Sequence, residues 1–75
     1  GGNPLSLEVY AELCVVSRDY PAYVQQARER FGIPSESSQA ELDRYFQQRF
    51  AAHPGEQQRF YALYEQARQR LSGNR

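Results

Sequence analysis

Few side chains in this chain are suited to covalent or acid–base chemistry. His53 is the single group whose ordinary pKa lies near neutrality, and it stands directly before Pro54. In that position it caps or flanks a helix start, and no serine or cysteine near it in sequence has the surroundings of an activated nucleophile. Cys14 falls in an apolar stripe with Leu7, Tyr10 and Ala11, where a thiol acts as a small buried hydrophobe rather than a reactive thiolate. Glu8 and Glu12 are four residues apart, which on a helix sets both carboxylates on one face. Such a pair suits a metal or an acid–base step. Near a helix N-terminus it equally forms a solvated acidic face favoured by the macrodipole, and that reading is preferred. One Cys with one His falls short of the roughly four ligands of a zinc site. No catalytic, metal-binding or cofactor-binding set is expected, and no small-molecule ligand. The chain does not read as an enzyme.

The basic residues are all arginine and are balanced by as many acids, nine of each, for a formal net charge of zero. A neutral balance leaves no electrostatic footprint for nucleic acid or an anionic membrane. The arginines are dispersed, and acids precede several at helical spacing: Glu41 before Arg44, Glu56 before Arg59, Glu65 before Arg68. Such pairs mark a solvated face and stabilise a helix by about 0.2–0.5 kcal/mol each. A helix-turn-helix DNA-binding domain is the alternative carried forward, because two central helices are joined by a short connector. That connector holds Pro34 and Glu36, and the following helix opens Gln39-Ala40-Glu41 where a recognition helix usually presents donors to base edges.

Aromatics are the informative excess. Six Tyr and four Phe, with no Trp and no Met, give more ring area than a small four-helix core easily hides. Tyr10, Tyr45, Tyr61 and Tyr64, with Arg68, are the candidates for a protein-facing patch, since amphipathic rings are enriched at interfaces. The plainer alternative is that each phenol covers the core edge with its hydroxyl in water.

The elements that position these residues are all helical. Pro4 to Arg18 reads as a first helix, with Ser6 or Asn3-Pro4 at its start and a stripe widened by Leu13 and Val16. Pro21 to Phe31 reads as a second, carrying Tyr20, Tyr23, Val24, Ala27 and Phe31 on one face. Gly32 is placed to end it at positive φ, with Ile33 folding back. Ser38 and Glu41 form an S-x-x-E capping box, predicting a third helix from near Gln39 to Ala52. Pro54 to Leu71 reads as the fourth, the most regular, with Phe60, Leu63 or Tyr64, Ala67 and Leu71 on its apolar side. The other three are expected to bury against it. Residues 1–3 read as a linker or expression scar, 4–72 as one helical domain and 73–75 as a flexible tail. A faint echo relates Gln26–Phe31 to Gln66–Leu71 at an offset of forty, most simply because amphipathic helices rich in Arg and Gln look alike.

Seventy-five residues make one small domain. A chain of this size buries only about 60% of its unfolded surface, and its core supplies ~3–5 kcal/mol. No apolar run of membrane-spanning length and no signal peptide is seen, so a soluble, cytoplasmic piece is the default expectation. The absence of Lys, with nine Gln and many Ala, suggests a GC-rich bacterial coding sequence.

The pattern Leu7-x-x-Tyr10-Ala11-x-Leu13, Arg30-Phe31-Gly32-Ile33, Leu42-x-x-Tyr45, Arg49-Phe50-Ala51-x-x-Pro54 and Phe60-x-x-Leu63-Tyr64-x-x-x-Arg68 resembles a small helical module of uncharacterised proteobacterial proteins, some encoded near type VI secretion components. Where that pattern has a tryptophan, near the middle of helix three, this chain has Tyr45. The module has no assigned activity, so no catalytic residue carries over. The resemblance implies an appended or adaptor module in a larger bacterial system. From the helical spacings the expected fold is an all-α compact bundle of four helices in two antiparallel hairpins, with helices two and four contributing the most regular core faces. Its expected role is non-catalytic protein–protein interaction, with an unidentified protein partner or with itself.

Overall fold

The computed structural model describes residues 5–73. They form four α-helices and one short 3-10 turn: α1 (Leu7–Asp19), the turn Pro21–Tyr23, α2 (Val24–Arg30), α3 (Glu36–Ala52) and α4 (Pro54–Gly73). No strand occurs among the described residues. The 3-10 turn folds α2 back on α1, and His53 alone separates α3 from α4, giving two antiparallel hairpins in an all-α bundle.

Local chemistry explains most of the boundaries. The Ser6 hydroxyl accepts from the Val9 N–H at 3.2 Å and caps α1. The alternative start at Asn3-Pro4 lies outside the described residues. Asp19 ends α1, and Pro21 opens the 3-10 turn where its missing N–H costs no hydrogen bond. Gly32 takes φ 75°. Its N–H donates to the Glu29 carbonyl at 3.2 Å, while the Ile33 N–H reaches back to Arg28 at 2.8 Å, the paired bonds of a Schellman ending. Ile33 folds onto the body with 8% exposure. His53 closes α3 through its N–H to the Arg49 carbonyl at 2.8 Å, and its own carbonyl accepts from Glu56 at 3.0 Å to open α4.

Three boundaries differ from the pattern of residues. The expected second helix, Pro21 to Phe31, opens as the 3-10 turn Pro21–Tyr23, and α2 itself is Val24–Arg30. α3 starts at Glu36, capped by Ser35, whose hydroxyl accepts from the Ser38 N–H at 3.2 Å. Ser38 thus donates its backbone N–H to the cap and is not the cap itself. Starting three residues earlier satisfies additional backbone groups, and Pro34 blocks any further extension. Gly73 belongs to the last turn of α4 rather than to a tail, while residues 74–75, like 1–3, lie outside the described residues.

The centre of the fold is α1. The regular stripe of α4 points to that helix as the organiser, yet Ala67 is its one buried residue, whereas α1 buries Tyr10, Ala11, Leu13 and Val15. The reason is composition. Val9 to Val16 is apolar except for Glu12, so neighbours cover α1 on several sides, while α4 interleaves its apolar positions with Gln, Glu and Arg. α1 packs most extensively on α4 and also on α2 and the 3-10 turn, and small residues, Ala11 and Ala67, are buried on the two longer partners. α2 is not a core helix. It has no buried residue, because seven residues give barely two turns, and it packs on α1 rather than on α4.

An aromatic cluster joins the hairpins. The rings of Tyr10 and Phe46 stack at 4.2 Å with 14° between planes, and Phe50 and Phe60 complete the group. A polar bridge supports it at the other end. Arg28 Nε donates to Gln39 Oε1 at 2.6 Å, and Gln39 Nε2 donates to Ser17 Oγ at 3.0 Å, linking α2, α3 and α1. The body is flat, 37 × 27 × 16 Å. Exposed residues occur on every helix.

Candidate interaction surface

The five side chains singled out by type and spacing do not form one patch. Tyr10 is a correction: it is 5% exposed and belongs to the core. Its ring lies against Phe46 and Phe60, and its hydroxyl donates to Asp43 Oδ1 at 2.7 Å. Burial first, then the bond to Asp43, holds the phenol far above the ordinary tyrosine range. Tyr64 is half-buried beside Phe60, and its hydroxyl is inaccessible without a hydrogen-bond partner. Its polar end therefore faces inward and not toward water.

Tyr45 and Tyr61 are on the outside, 40% and 59% exposed. Tyr45 on α3 stands edge-on to Phe46, with Arg49 Nη1 3.5 Å from its hydroxyl. Tyr61 on α4 accepts from Gln57 Nε2 at 3.2 Å. Each ring is steadied by a residue on its own helix. Arg68 is remote in role: it faces Glu65 at 3.3 Å and Asp19, at the end of α1, at 3.9 Å. Its guanidinium links α4 to α1.

The other chemically capable residues are structural. Cys14 packs beside the Tyr10 cluster, and burial pushes its thiol up to about 11, partly offset by the hydrogen bond with Tyr10. A thiol held protonated is a poor nucleophile. His53 is exposed at the α3–α4 junction. Glu12 is paired with Arg70, while Glu8 is exposed. Both line a polar cleft of about 210 Å³ between α1 and α4. Among the described residues, no three of His, Cys, Asp or Glu are grouped so as to hold a metal ion.

Four of the eight arginines among the described residues are in ion pairs. Arg28 pairs with Glu36 at 3.7 Å and Arg49 with Glu56 at 2.7 Å, besides the contacts of Arg68 and Arg70. Of the three pairs expected along single helices, Glu65–Arg68 forms. Glu56 is instead drawn across the hairpin to Arg49, whose hydrogen bond holds its carboxyl below the usual range.

The residue pattern does not reveal a groove beside α2. Val16 of α1, Tyr20, Tyr23, Ala27 and Phe31 around α2, and Leu71 from the last turns of α4 line two adjoining depressions of about 180 and 220 Å³. Tyr23 is 59% exposed and Leu71 36%. Their spacing marks them as core positions. They remain open because α2 and the end of α4 flank α1 without closing on each other. No signal in the residues marks the groove, because the second helix reads as Pro21 to Phe31 and the structure shortens it to Val24–Arg30.

Compared with protein-family models, curated proteins and solved structures, the chain has no match.

Proposed function

We propose that this domain is a non-catalytic protein–protein interaction module, an adaptor or tether whose outer surface meets a protein partner or a second copy of itself. One observation supports it above the rest: the large apolar side chains left exposed are Tyr23, Tyr45, Tyr61 and Leu71, three of them tyrosines. Tyrosine offers wide contact area with a polar tip and loses little conformational freedom on binding, which suits it to the centre of an interface.

The competing reading is a helix-turn-helix DNA-binding domain, with α2 and α3 as the pair. Arg28 is bound to Gln39 and Glu36, and the first turn of α3 presents Glu36, an acid, where a phosphate or base edge would approach. Net charge is zero. These features favour the protein-binding reading.

The setting proposed for the module is bacterial and cytoplasmic, appended to a larger protein or a secretion-related system. The Lys-free composition and the resemblance to a proteobacterial module support that setting.

Affinity capture with the tagged chain tests the reading. Tyr61→Glu and Tyr45→Glu should fold normally and lose the captured partner, with binding only weakly dependent on salt. Strong retention on heparin at moderate salt, or unchanged capture by both variants, counts against it.

A further inference from the structure

We infer that the groove between α2 and the end of α4 is the seat of an amphipathic helix from a protein partner, one carrying a carboxylate beside its apolar stripe. The inference rests on the interaction-module reading and names the surface and the chemistry it takes.

Shape is the first argument. The floor is Val16 of α1, one wall is Tyr20, Tyr23, Ala27 and Phe31, and Leu71 forms the other. From Glu12 to Asp19 the floor helix runs roughly 10 Å, about two turns at ~1.5 Å per residue. That length accepts three apolar side chains at i, i+3 or i+4, and i+7 of an incoming helix, the recurring helix-in-groove spacing. The lining is mainly aromatic and aliphatic, with Glu12, Gln26 and Arg30 as its polar members, and a helix laid there would cover Tyr23 and Leu71 together.

Charge selects the occupant. The charged side chains lining the groove are Glu12 and Arg30. Glu12 is taken up by Arg70, and Asp19, next to Tyr20, faces Arg68 at 3.9 Å. Arg30 has no ion pair among the described residues, and its guanidinium stands over the Phe31 ring, 5.8 Å from the centroid. Cation–π contact fixes the head group at the groove's end without using its N–H donors. The groove thus presents one uncommitted cation beside an apolar trough, and the matching partner is apolar with an acid at that end. A basic helix would meet Arg30 as a like charge.

The test uses the full chain, isotope-labelled for amide NMR, and three stapled helical peptides of about eleven residues, or three turns. The first has Leu at i, i+4 and i+7 with two Glu at one end. The second has Lys for Glu, and the third is a scramble of the first. The first peptide should shift the amides of Val16, Tyr23, Ala27, Phe31 and Leu71 and bind about tenfold tighter than the second. Arg30→Glu should reverse that order without altering the fold, since Arg30 is exposed. Four results each overturn the proposal: equal binding of Glu and Lys peptides, binding by the scramble as tight as by the first, no binding by any, or groove amides shifting on concentrating the chain alone, which would make a second copy the occupant. Shifts confined to Tyr45 and Tyr61 would remove the groove and leave the interaction-module reading intact. Loss of captured partner in neither the groove nor the Tyr45 and Tyr61 variants would remove both.

Discussion

The Tyr10 hydroxyl reaches Asp43 Oδ1 at 2.7 Å while the same ring stacks on Phe46 at 4.2 Å, so one side chain fastens the central helix to α3 by packing and by hydrogen bonding. Tyr10→Phe keeps the stack and strands a half-buried acceptor, with an expected loss of about 1–2 kcal/mol. Tyr10→Ala also removes the ring, about 3–5 kcal/mol, most of what a domain this size holds. Urea unfolding measures both. A Tyr10→Phe chain as stable as the wild type would show that the bond contributes nothing.

Alkaline pH should loosen the fold. Cys14 is raised from 9.0 to about 11 and Tyr10 is raised above its ordinary 10.0, so both groups keep their protons longer folded than unfolded. Above pH 9.0 the unfolded chain therefore binds fewer protons, and stability falls as pH rises, first through Cys14 and above 10.0 also through Tyr10. Their contribution is fully present below pH 9.0. The slope is at most about 1.4 kcal/mol per pH unit for each group. Cys14→Ala should flatten the urea midpoint between pH 9.0 and 10.0; an unchanged slope there would contradict the burial argument.

Ser35, before α3, and Ser38, in its first turn, are the two possible caps. Ser35→Ala should cost about 1 kcal/mol, whereas Ser38→Ala should change little, since Ser38 supplies a backbone N–H that any residue retains. Thermal melts of the two variants compare them directly, and the reverse order would return the helix start to Gln39.

Gly32 is held at φ 75° with open space around the position of an added Cβ. Gly32→Ala should lose about 1–2 kcal/mol from the left-handed backbone alone. Gly32→Asn should lose less, because its side chain bonds locally in that region. Equal losses in the melts would point to some cause other than φ.

What the residues disclosed follows from how local each feature is. The helices, the Ser6 cap, the Gly32 ending and the break at His53-Pro54 depend on neighbours within a turn and can be read from the chain. Burial depends on which faces meet, and periodicity cannot rank competing stripes. Tyr10, Tyr23 and Leu71 all sit on well-spaced apolar stripes, yet one is in the core and the other two are exposed. Ser35 and Ser38 share the same capping chemistry, and α3 takes the earlier start, with Ser35 as its cap. Arg49 and Glu56 pair across the hairpin, a contact that no single-helix rule predicts.

Amide chemical-shift mapping with the captured partner tests the central claim most directly. The account predicts shifts at the exposed rings, Tyr23, Tyr45 or Tyr61, that persist as salt is raised. Shifts gathered instead on the arginines of α2 and α3, produced by duplex DNA and erased by salt, would contradict it.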